Sequence, residues 1–268
     1  MHSVGRFRPP LVASIALALV LLVSRAGPRK AAAQVTIEPF SLGQEEAGWD
    51  VRVGANFKME SNETVLLEID LTPRVEYARK AHSVAAVGNV EFSERAGSTF
   101  RNLFLLHTRY LYRLGSDIRV EGFMRVQRDE FALLNSRVSG GGGLRFQVSS
   151  DAQAATYGGL AVGVEAERWD VEPDDFHPES LTDPRTYGYL AYRLNITDNT
   201  TLLNTVTGSL RLAGNLGDGR ITDTATLQVE ISERVALTAS FGLEYDSRPP
   251  ESQPEVSMAL KNGLTLTF

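Results

Sequence analysis

Charged side chains recur at every second position over much of this sequence, and arginine dominates one stretch of them. A guanidinium group binds carboxylates and phosphates through paired hydrogen bonds, so a row of arginines can attract and order anions. Between residues 101 and 145, seven arginines occupy odd-numbered positions: Arg101, Arg109, Arg113, Arg119, Arg125, Arg137 and Arg145. This spacing predicts that they share one face of the extended strands that carry them.

Carboxylates occupy the corresponding positions in the segments before and after that stretch. They stand at Glu68, Asp70, Glu76, Glu91, Glu165 and Glu167. The sequence therefore separates positive from negative charge along the polar faces of successive segments.

Residues suited to covalent or metal chemistry are few. The chain has no cysteine, which excludes a thiol nucleophile, a disulfide and a cysteine zinc site. There is no Gly-x-Ser-x-Gly motif, and His82, His107 and His177 lack the spacing of metal ligands. His107 alone falls on a polar strand face, where a lone histidine is more typical of a hydrogen-bonded wall residue than of a base. We therefore expect no enzyme activity, no cofactor and no metal.

The first 33 residues have the pattern of a secretory signal peptide. Arg6 and Arg8 precede an apolar run over residues 11–23, and Ala31-x-Ala33 is a small-residue cleavage pattern with the cut before Gln34. A cut after Ala26 and a retained anchor are the alternatives. Cleavage at Gln34 removes five basic and no acidic residues, so the net charge changes from −6 to −11. This acidic balance argues against nucleic-acid binding.

Beyond residue 48 the sequence alternates between apolar and polar residues, the pattern of strands with two different faces. The predicted strands are 49–60, 65–77, 84–92, 100–114, 118–126, 138–148, 156–166, 186–196, 202–212, 221–231, 235–245 and 256–268. Of the 74 positions on their apolar faces only Asp223 is charged, whereas an even spread of the charged residues would place about 16 there.

These strands predict an all-β fold, a closed antiparallel transmembrane β-barrel of about twelve strands. Most segments have the ~9–11 residues that cross a bilayer with tilt, and short turns alternate with longer polar loops. Lipid cannot satisfy open backbone groups, so the sheet must close on itself. We expect a short periplasmic segment at 34–48 followed by the barrel at 49–268. A soluble barrel with its apolar face inward is the alternative.

The chain ends with apolar residues at alternate positions, Leu264, Leu266 and Phe268. This ending resembles the C-terminal signature of bacterial outer-membrane proteins, although Asn262 departs from it. The resemblance implies recognition by the outer-membrane assembly machinery and a location among outer-membrane lipid and lipopolysaccharide.

A second resemblance covers most of the chain after the signal peptide. Residues 120–123 (VEGF), 127–137 (QRDEFALLNSR) and the glycine run 140–143 are similar to the salt-induced outer-membrane protein family, a domain of unknown function. This resemblance implies a fold and a location, and it supplies no catalytic residue.

Two hypotheses follow for the lumen of such a barrel. In the first, the basic and acidic walls line a narrow pore for small or anionic hydrophilic solutes, with the arginines as its selectivity element. In the second, arginine side chains cross the lumen to carboxylates and fill it, which gives a non-conducting structural or envelope-stress barrel. A lipid-modifying enzyme is a third candidate, and it would depend on His107.

Extraction separates the membrane barrel from the soluble alternative. We expect the protein to stay with the membrane fraction after osmotic shock and to require detergent for release, because its apolar faces contact lipid. Release by osmotic shock alone would contradict the membrane prediction.

Overall fold

Each alternating segment of the sequence forms one strand of a closed sheet. The computed structural model describes residues 47–61, 65–95, 98–214 and 216–268. The strands are β1 (Gly48–Ser61), β2 (Val65–Arg79), β3 (His82–Arg95), β4 (Ser98–Arg113), β5 (Ile118–Asp129), β6 (Leu134–Ser150), β7 (Ala154–Trp169), β8 (Ser180–Thr197), β9 (Thr200–Arg211), β10 (Gly219–Ser232), β11 (Val235–Asp246) and β12 (Val256–Thr267). All twelve predicted strands are confirmed.

The barrel closes because the first and last strands pair with each other. Every strand pairs antiparallel with its neighbours in sequence, and β1 joins β12 through the pairs from Arg52–Thr267 to Ala55–Leu264. This closure leaves no open sheet edge, which is the condition for a sheet to lie in lipid. The predicted closed antiparallel barrel is therefore confirmed.

The two faces of the sheet differ sharply in polarity. Outward-facing apolar side chains are open to the surroundings, with Leu160 69% and Leu260 73% exposed. Inward-facing charged side chains are enclosed, with Glu121 2% and Arg145 1% exposed. An apolar exterior around a charged interior is the arrangement of a transmembrane barrel and the reverse of a soluble one. No helix within the described ranges is long and apolar enough to cross a membrane.

The three longest connections between the described strands, 170–179, 212–218 and 247–255, lie at one end of the barrel, as the sequence predicted. The predicted longer loop between β5 and β6 is reduced to residues 130–133, because both strands extend beyond their apolar alternation. Turns at 80–81, 114–117, 151–153, 198–199 and 233–234 lie at one end, which we call the turn end, together with the start of β1 and the finish of β12. The opposite end, the loop end, carries the connections 130–133, 170–179, 212–218 and 247–255. The predicted signal peptide and residues 34–46 of the predicted periplasmic segment lie outside the described residues.

A short 3-10 turn in the loop-end connection 130–133 spans Glu130–Ala132. The side chain of Asp129 caps it by accepting hydrogen bonds from the backbone N–H groups of Phe131 and Ala132, both at 3.2 Å. The cap satisfies two backbone donors that the turn leaves open.

Glycines let two strands approach each other closely inside the barrel. Gly141 on β6 faces Gly163 on β7, and Gly143 lies two residues further along. A Cβ atom on Gly143 would overlap the carbonyl oxygen of Leu160, and one on Gly163 would overlap that of Gly140. These inward positions lack side chains, so the sheet can curve tightly here.

Alanine at Gly143 tests this close approach. We expect Gly143→Ala to lower the free energy of unfolding by about 1–3 kcal/mol or to prevent refolding, because its methyl group has no space. Gly140→Ala is the control, since a Cβ there meets the nearest atom, Phe123 O, at an ordinary 3.6 Å. Urea titration in detergent, followed by tryptophan fluorescence, measures both variants. Equal stability of the two would contradict this account.

Candidate functional site

The predicted arginines lie on the lumen side of three adjacent strands, β4 to β6. Arg109, Arg137 and Arg145 are buried, and Arg113, Arg119 and Arg125 are half-buried on the same inward face. The backbone of Arg101 pairs with Ser93 in β3, and its side chain lies outside the described part of the chain. The predicted carboxylates Glu76, Glu91, Glu165 and Glu167 are buried in the lumen, and Glu68 and Asp70 are half-buried.

Near the loop end, charged side chains reach across the lumen to one another. Arg220 on β10 contacts Glu165 at 2.6 Å and Glu167 at 2.8 Å, and both carboxylates belong to β7, three strands away. Its Nε donates to Asp246 at 2.7 Å, and Arg137 pairs with Glu167. One guanidinium therefore joins two carboxylates of β7, across the lumen, to a third on the neighbouring strand β11.

Two further arginines extend this group, which we call the ion-pair layer. Arg185 donates from Nη2 to Asp218 at 2.8 Å and also pairs with Glu165. Arg211 joins Asp183 and Asp218. Buried charges are tolerated when they are paired and hydrogen-bonded, so the layer holds the loop-end half of β7 to β11 together.

A second contact across the lumen centres on Glu121. Its Oε2 accepts a hydrogen bond from the Tyr189 hydroxyl at 2.7 Å and a longer one from Arg109 Nη1 at 3.4 Å. The Arg109 guanidinium also lies 4.7 Å from the centre of the Tyr189 ring. A Cβ on Gly159 would overlap this ring, so the glycine makes room for Tyr189. Strands β4, β5 and β8 are thus linked through large side chains.

Lys261 makes the third contact across the lumen. From β12 its Nζ reaches Asp70 on β2 at 2.8 Å and Glu91 on β3 at 2.5 Å. Asn89 donates a further hydrogen bond to the same oxygen of Glu91 at 2.9 Å. The lysine therefore bridges β12 to β3 over the closing strand pair.

These contacts leave two unequal cavities in the lumen. The smaller, about 100 Å³, lies between the ion-pair layer and Tyr189, and His107, Phe123, Arg125 and Tyr187 are among its walls. The larger, about 200 Å³, runs along β1, β2 and β9 to β12. Half of its lining residues are small or hydroxyl-bearing: Gly54, Ala55, Thr72, Thr224, Thr226, Thr238, Ser240, Gly242, Ala259 and Thr265. Four charged residues also line it, Arg52, Asp70, Arg74 and Lys261. We call the β3 to β8 side the packed half and the remainder the open half.

The connection 247–255, which we call the strap, extends over the loop end. Gln253 Nε2 donates to the carbonyl of Phe131 at 3.1 Å, and Glu251 N donates to Asp175 at 3.3 Å. Phe131 belongs to the β5–β6 connection, which lies opposite the β11–β12 connection in a twelve-stranded ring. Pro250, within the strap, is fully buried. The strap therefore crosses the mouth of the barrel.

Sequence reasoning missed several charged residues of this site. Arg185, Asp218, Arg220 and Asp246 fell outside the predicted strands, and Lys261 lay within a predicted strand but outside the predicted walls. β8 begins at Ser180 and β10 at Gly219, whereas apolar alternation begins only at residues 186 and 221. In β8 the odd-numbered residues face the lumen, and in β10 the even-numbered residues do. Continuing this alternation into the polar residues before each predicted strand would have placed Arg185 and Arg220 inward.

The family comparison agrees with the resemblance drawn from residues 120–143. The family model described as "Protein of unknown function, DUF481" matches residues 45–268. A comparison with curated protein sequences gives no match.

Solved structures share the barrel fold at low sequence identity. The NanC porin is 11% identical over 82% of this chain and 100% of its own, with a TM-score of 0.48. The translocator domain of autotransporter NalP from Neisseria meningitidis is 13% identical over 85% of this chain and 91% of its own, with a TM-score of 0.49. An anion-selective porin from Comamonas acidovorans is 9% identical over 82% and 97%, with a TM-score of 0.40.

Removing Arg220 tests the ion-pair layer. We expect Arg220→Ala to lower the free energy of unfolding by about 3–5 kcal/mol, because it leaves buried carboxylates without their shared cation. Arg52→Ala is the matched control. Arg52 pairs with Asp50 on its own strand, and their side chains are 26% and 27% exposed. Removing Arg52 should therefore lower the free energy of unfolding by less than about 1 kcal/mol. Equal losses in urea unfolding of the two variants would show that the layer is not a major source of stability.

Proposed function

We propose that this chain, which belongs to the protein family of unknown function DUF481, is a pore of the bacterial outer membrane. The pore passes small hydrophilic solutes, and the geometry of the lumen supports this function. The observation that carries the proposal is the larger cavity of the open half. It occupies about 200 Å³, and half of its lining residues are threonine, serine, glycine or alanine. Hydroxyl groups can replace part of a solute's hydration, and small side chains leave room for it.

The contacts across the lumen set the width of the proposed passage. Lys261 bridges the open half at the level of Asp70, and the strap covers the mouth at the loop end. A path limited at both places suits ions and small polar molecules rather than polymers. The proposal assigns no catalytic residue and no cofactor.

We propose that the arginines bias the passage toward anions. Four arginines line the smaller cavity, and three carboxylates line it with them. The arginines are Arg109, Arg125, Arg137 and Arg220, and the carboxylates are Glu121, Glu165 and Glu244. Arg113, Arg119 and Arg145 stand together nearer the turn end. A positive potential at that entrance would raise the local concentration of anions.

The outward surface supports the proposed membrane location. Leu264, Leu266 and Phe268 all face outward near the turn end, and Phe268 is 78% exposed. In this position they are open to the outer-membrane assembly machinery during insertion and to lipid afterwards. We propose lipid and lipopolysaccharide as the partners of the apolar exterior.

The ion-pair layer favours a second candidate function, a non-conducting structural barrel. Arg220 and Lys261 each reach strands three positions away around the ring. Such contacts fill and stiffen the interior without any solute. If this candidate is correct, the inserted protein gives no ion conductance across a planar bilayer, and its stability depends strongly on Arg220.

Planar-bilayer recording on the refolded protein decides between the candidates. We expect discrete conductance steps, because the proposed passage follows the larger cavity of the open half. A shortened strap, with Asn-Gly replacing residues 248–254 between Ser247 and Glu255, should raise the step size. Backbone pairing of Asp246 with Glu255 keeps this hairpin closed in the variant. A wild-type protein that inserts and never conducts would refute the pore.

Reversal potentials in a salt gradient test the proposed anion preference separately. We expect alanine at Arg109, Arg113 and Arg125 to shift the reversal potential toward cations, because three positive charges leave the lumen. A triple Thr72, Thr226 and Thr238 to serine variant is the control, since it alters the lumen without changing its charge. An unchanged reversal potential in the arginine variant would show that these arginines do not determine the ion selectivity.

A further inference from the structure

We propose that the open half holds a binding site for an uncharged polyhydroxyl solute, formed by Thr72, Thr265, Thr238 and Gln228 around Gly54. All five residues line the larger cavity. The inference names a class of solute for the proposed pore and rests on that pore for the role of the site. An uncharged solute does not respond to the potential of the arginines, so the site is independent of the proposed anion preference.

Three of these residues lie in one row of the sheet, beside the closing strand pair. Gly54 on β1 is the register partner of Thr72 on β2 and of Thr265 on β12. A Cβ atom on Gly54 would lie 3.5 Å from the Cβ of Thr72 and 3.9 Å from the hydroxyl oxygen of Thr265. The glycine therefore leaves a gap the size of one side chain between two threonines that face the lumen.

The next inward row of the sheet extends this surface. Thr238 on β11 is the register partner of Gly263 on β12 and of Gln228 on β10. Gly263 leaves no second gap, because the Asn56 side chain occupies the place where a Cβ atom would lie. Thr238 and Gln228 face the same cavity as the gap at Gly54. Polar side chains of four strands thus converge on one space.

These polar side chains have unused hydrogen-bonding capacity. Within the described ranges, the three threonine hydroxyls and the Gln228 amide make no hydrogen bond to other protein groups. By contrast, the hydroxyls of Thr226 and Ser240 in the same cavity bond to each other at 2.9 Å. Hydroxyl and amide groups both donate and accept hydrogen bonds. A solute with several hydroxyl groups matches this set, because its own hydroxyls also do both.

The cations around the cavity are already paired, which favours an uncharged solute over an anion. Those among its described lining residues are Arg52, Arg74 and Lys261. Arg52 pairs with Asp50 at 2.7 Å, and Arg74 Nε donates to Glu76 at 2.6 Å. Lys261 joins the two carboxylates described above. An anion would have to displace one of these partners, whereas a polyol can bind beside them.

Calorimetric titration of the refolded full-length protein in nonionic detergent tests the site with erythritol, an uncharged four-carbon polyol. We expect saturable binding to the wild type. Butane-1,4-diol has the same carbon chain and fewer hydroxyl groups, so it should bind at least about tenfold more weakly. Erythronate carries a carboxylate and should also bind at least about tenfold more weakly. Absence of saturable erythritol binding, or equal binding of either analogue, would overturn the proposal.

Two glycine-to-alanine variants locate the site within the cavity. We expect Gly54→Ala to bind erythritol at least about tenfold more weakly, because its methyl group fills the gap between the two threonines. Gly242→Ala is the matched control, since a Cβ there has no atom within 4 Å and faces the same cavity on the loop-end side of Lys261. Both variants should unfold at the wild-type temperature. Equal erythritol affinity of the two variants would contradict the assigned position.

A threonine-to-valine variant tests the hydrogen bonds without filling the gap. Thr265→Val keeps the shape of the side chain and removes its hydroxyl, so we expect erythritol to bind several-fold more weakly. Thr108→Val is the control, because the Thr108 hydroxyl contacts the carbonyl of Met124 at 3.4 Å on the outward face. It should bind erythritol as the wild type does. Unchanged binding by Thr265→Val would also overturn the proposal.

Calorimetry requires no current, so failure of this site and failure of the pore are distinguishable. A protein that conducts and does not bind erythritol keeps the pore and loses the site. A protein that binds erythritol with the expected effects of the variants, inserts and never conducts keeps the site and loses the pore.

Discussion

Satisfaction of backbone hydrogen bonds in lipid is the constraint on which the rest of this structure depends. No water is available there to pair with an open sheet edge, so the first and last strands must join. Closure fixes which side of every strand faces lipid and which faces the lumen. The outward positions must be apolar, and almost every charge carried by the strands must point inward. Charges enclosed in this way then need partners, and the contacts of Arg220 and Lys261 across the lumen supply them.

The inward charges divide the lumen into unequal halves. Large side chains and ion pairs occupy the packed half, where Tyr189 links β8 to β5 and Arg220 reaches Glu165 from β10. The open half has many threonine, serine and glycine residues around the larger cavity, together with Arg52, Arg74 and Lys261. The two hypotheses for the lumen therefore apply to different sides of one barrel. The ion-pair layer links the packed half to the loop-end part of β9 to β11, and the proposed passage follows the larger cavity beneath the strap.

The sequence predicts the strands well because apolar alternation records contact with lipid. It misses the flanks because β7, β8 and β10 extend beyond the apolar belt, where outward residues no longer have to be apolar. Arg185 and Arg220 lie in those flanks and make the principal ion pairs. Which charges meet across three strands depends on the stagger of the closed sheet, and no local pattern encodes it.

Cysteine modification during single-channel recording tests the central claim, that the passage follows the open half. The chain has no native cysteine, so Ser240→Cys and Ser209→Cys place one thiol in the larger and one in the smaller cavity. After a bulky thiol reagent has reacted with each variant, with labelling verified by mass spectrometry, we expect the current through the Ser240 variant to fall strongly. The current through the Ser209 variant should change little. Equal block of both, or block of the Ser209 variant alone, would contradict the account.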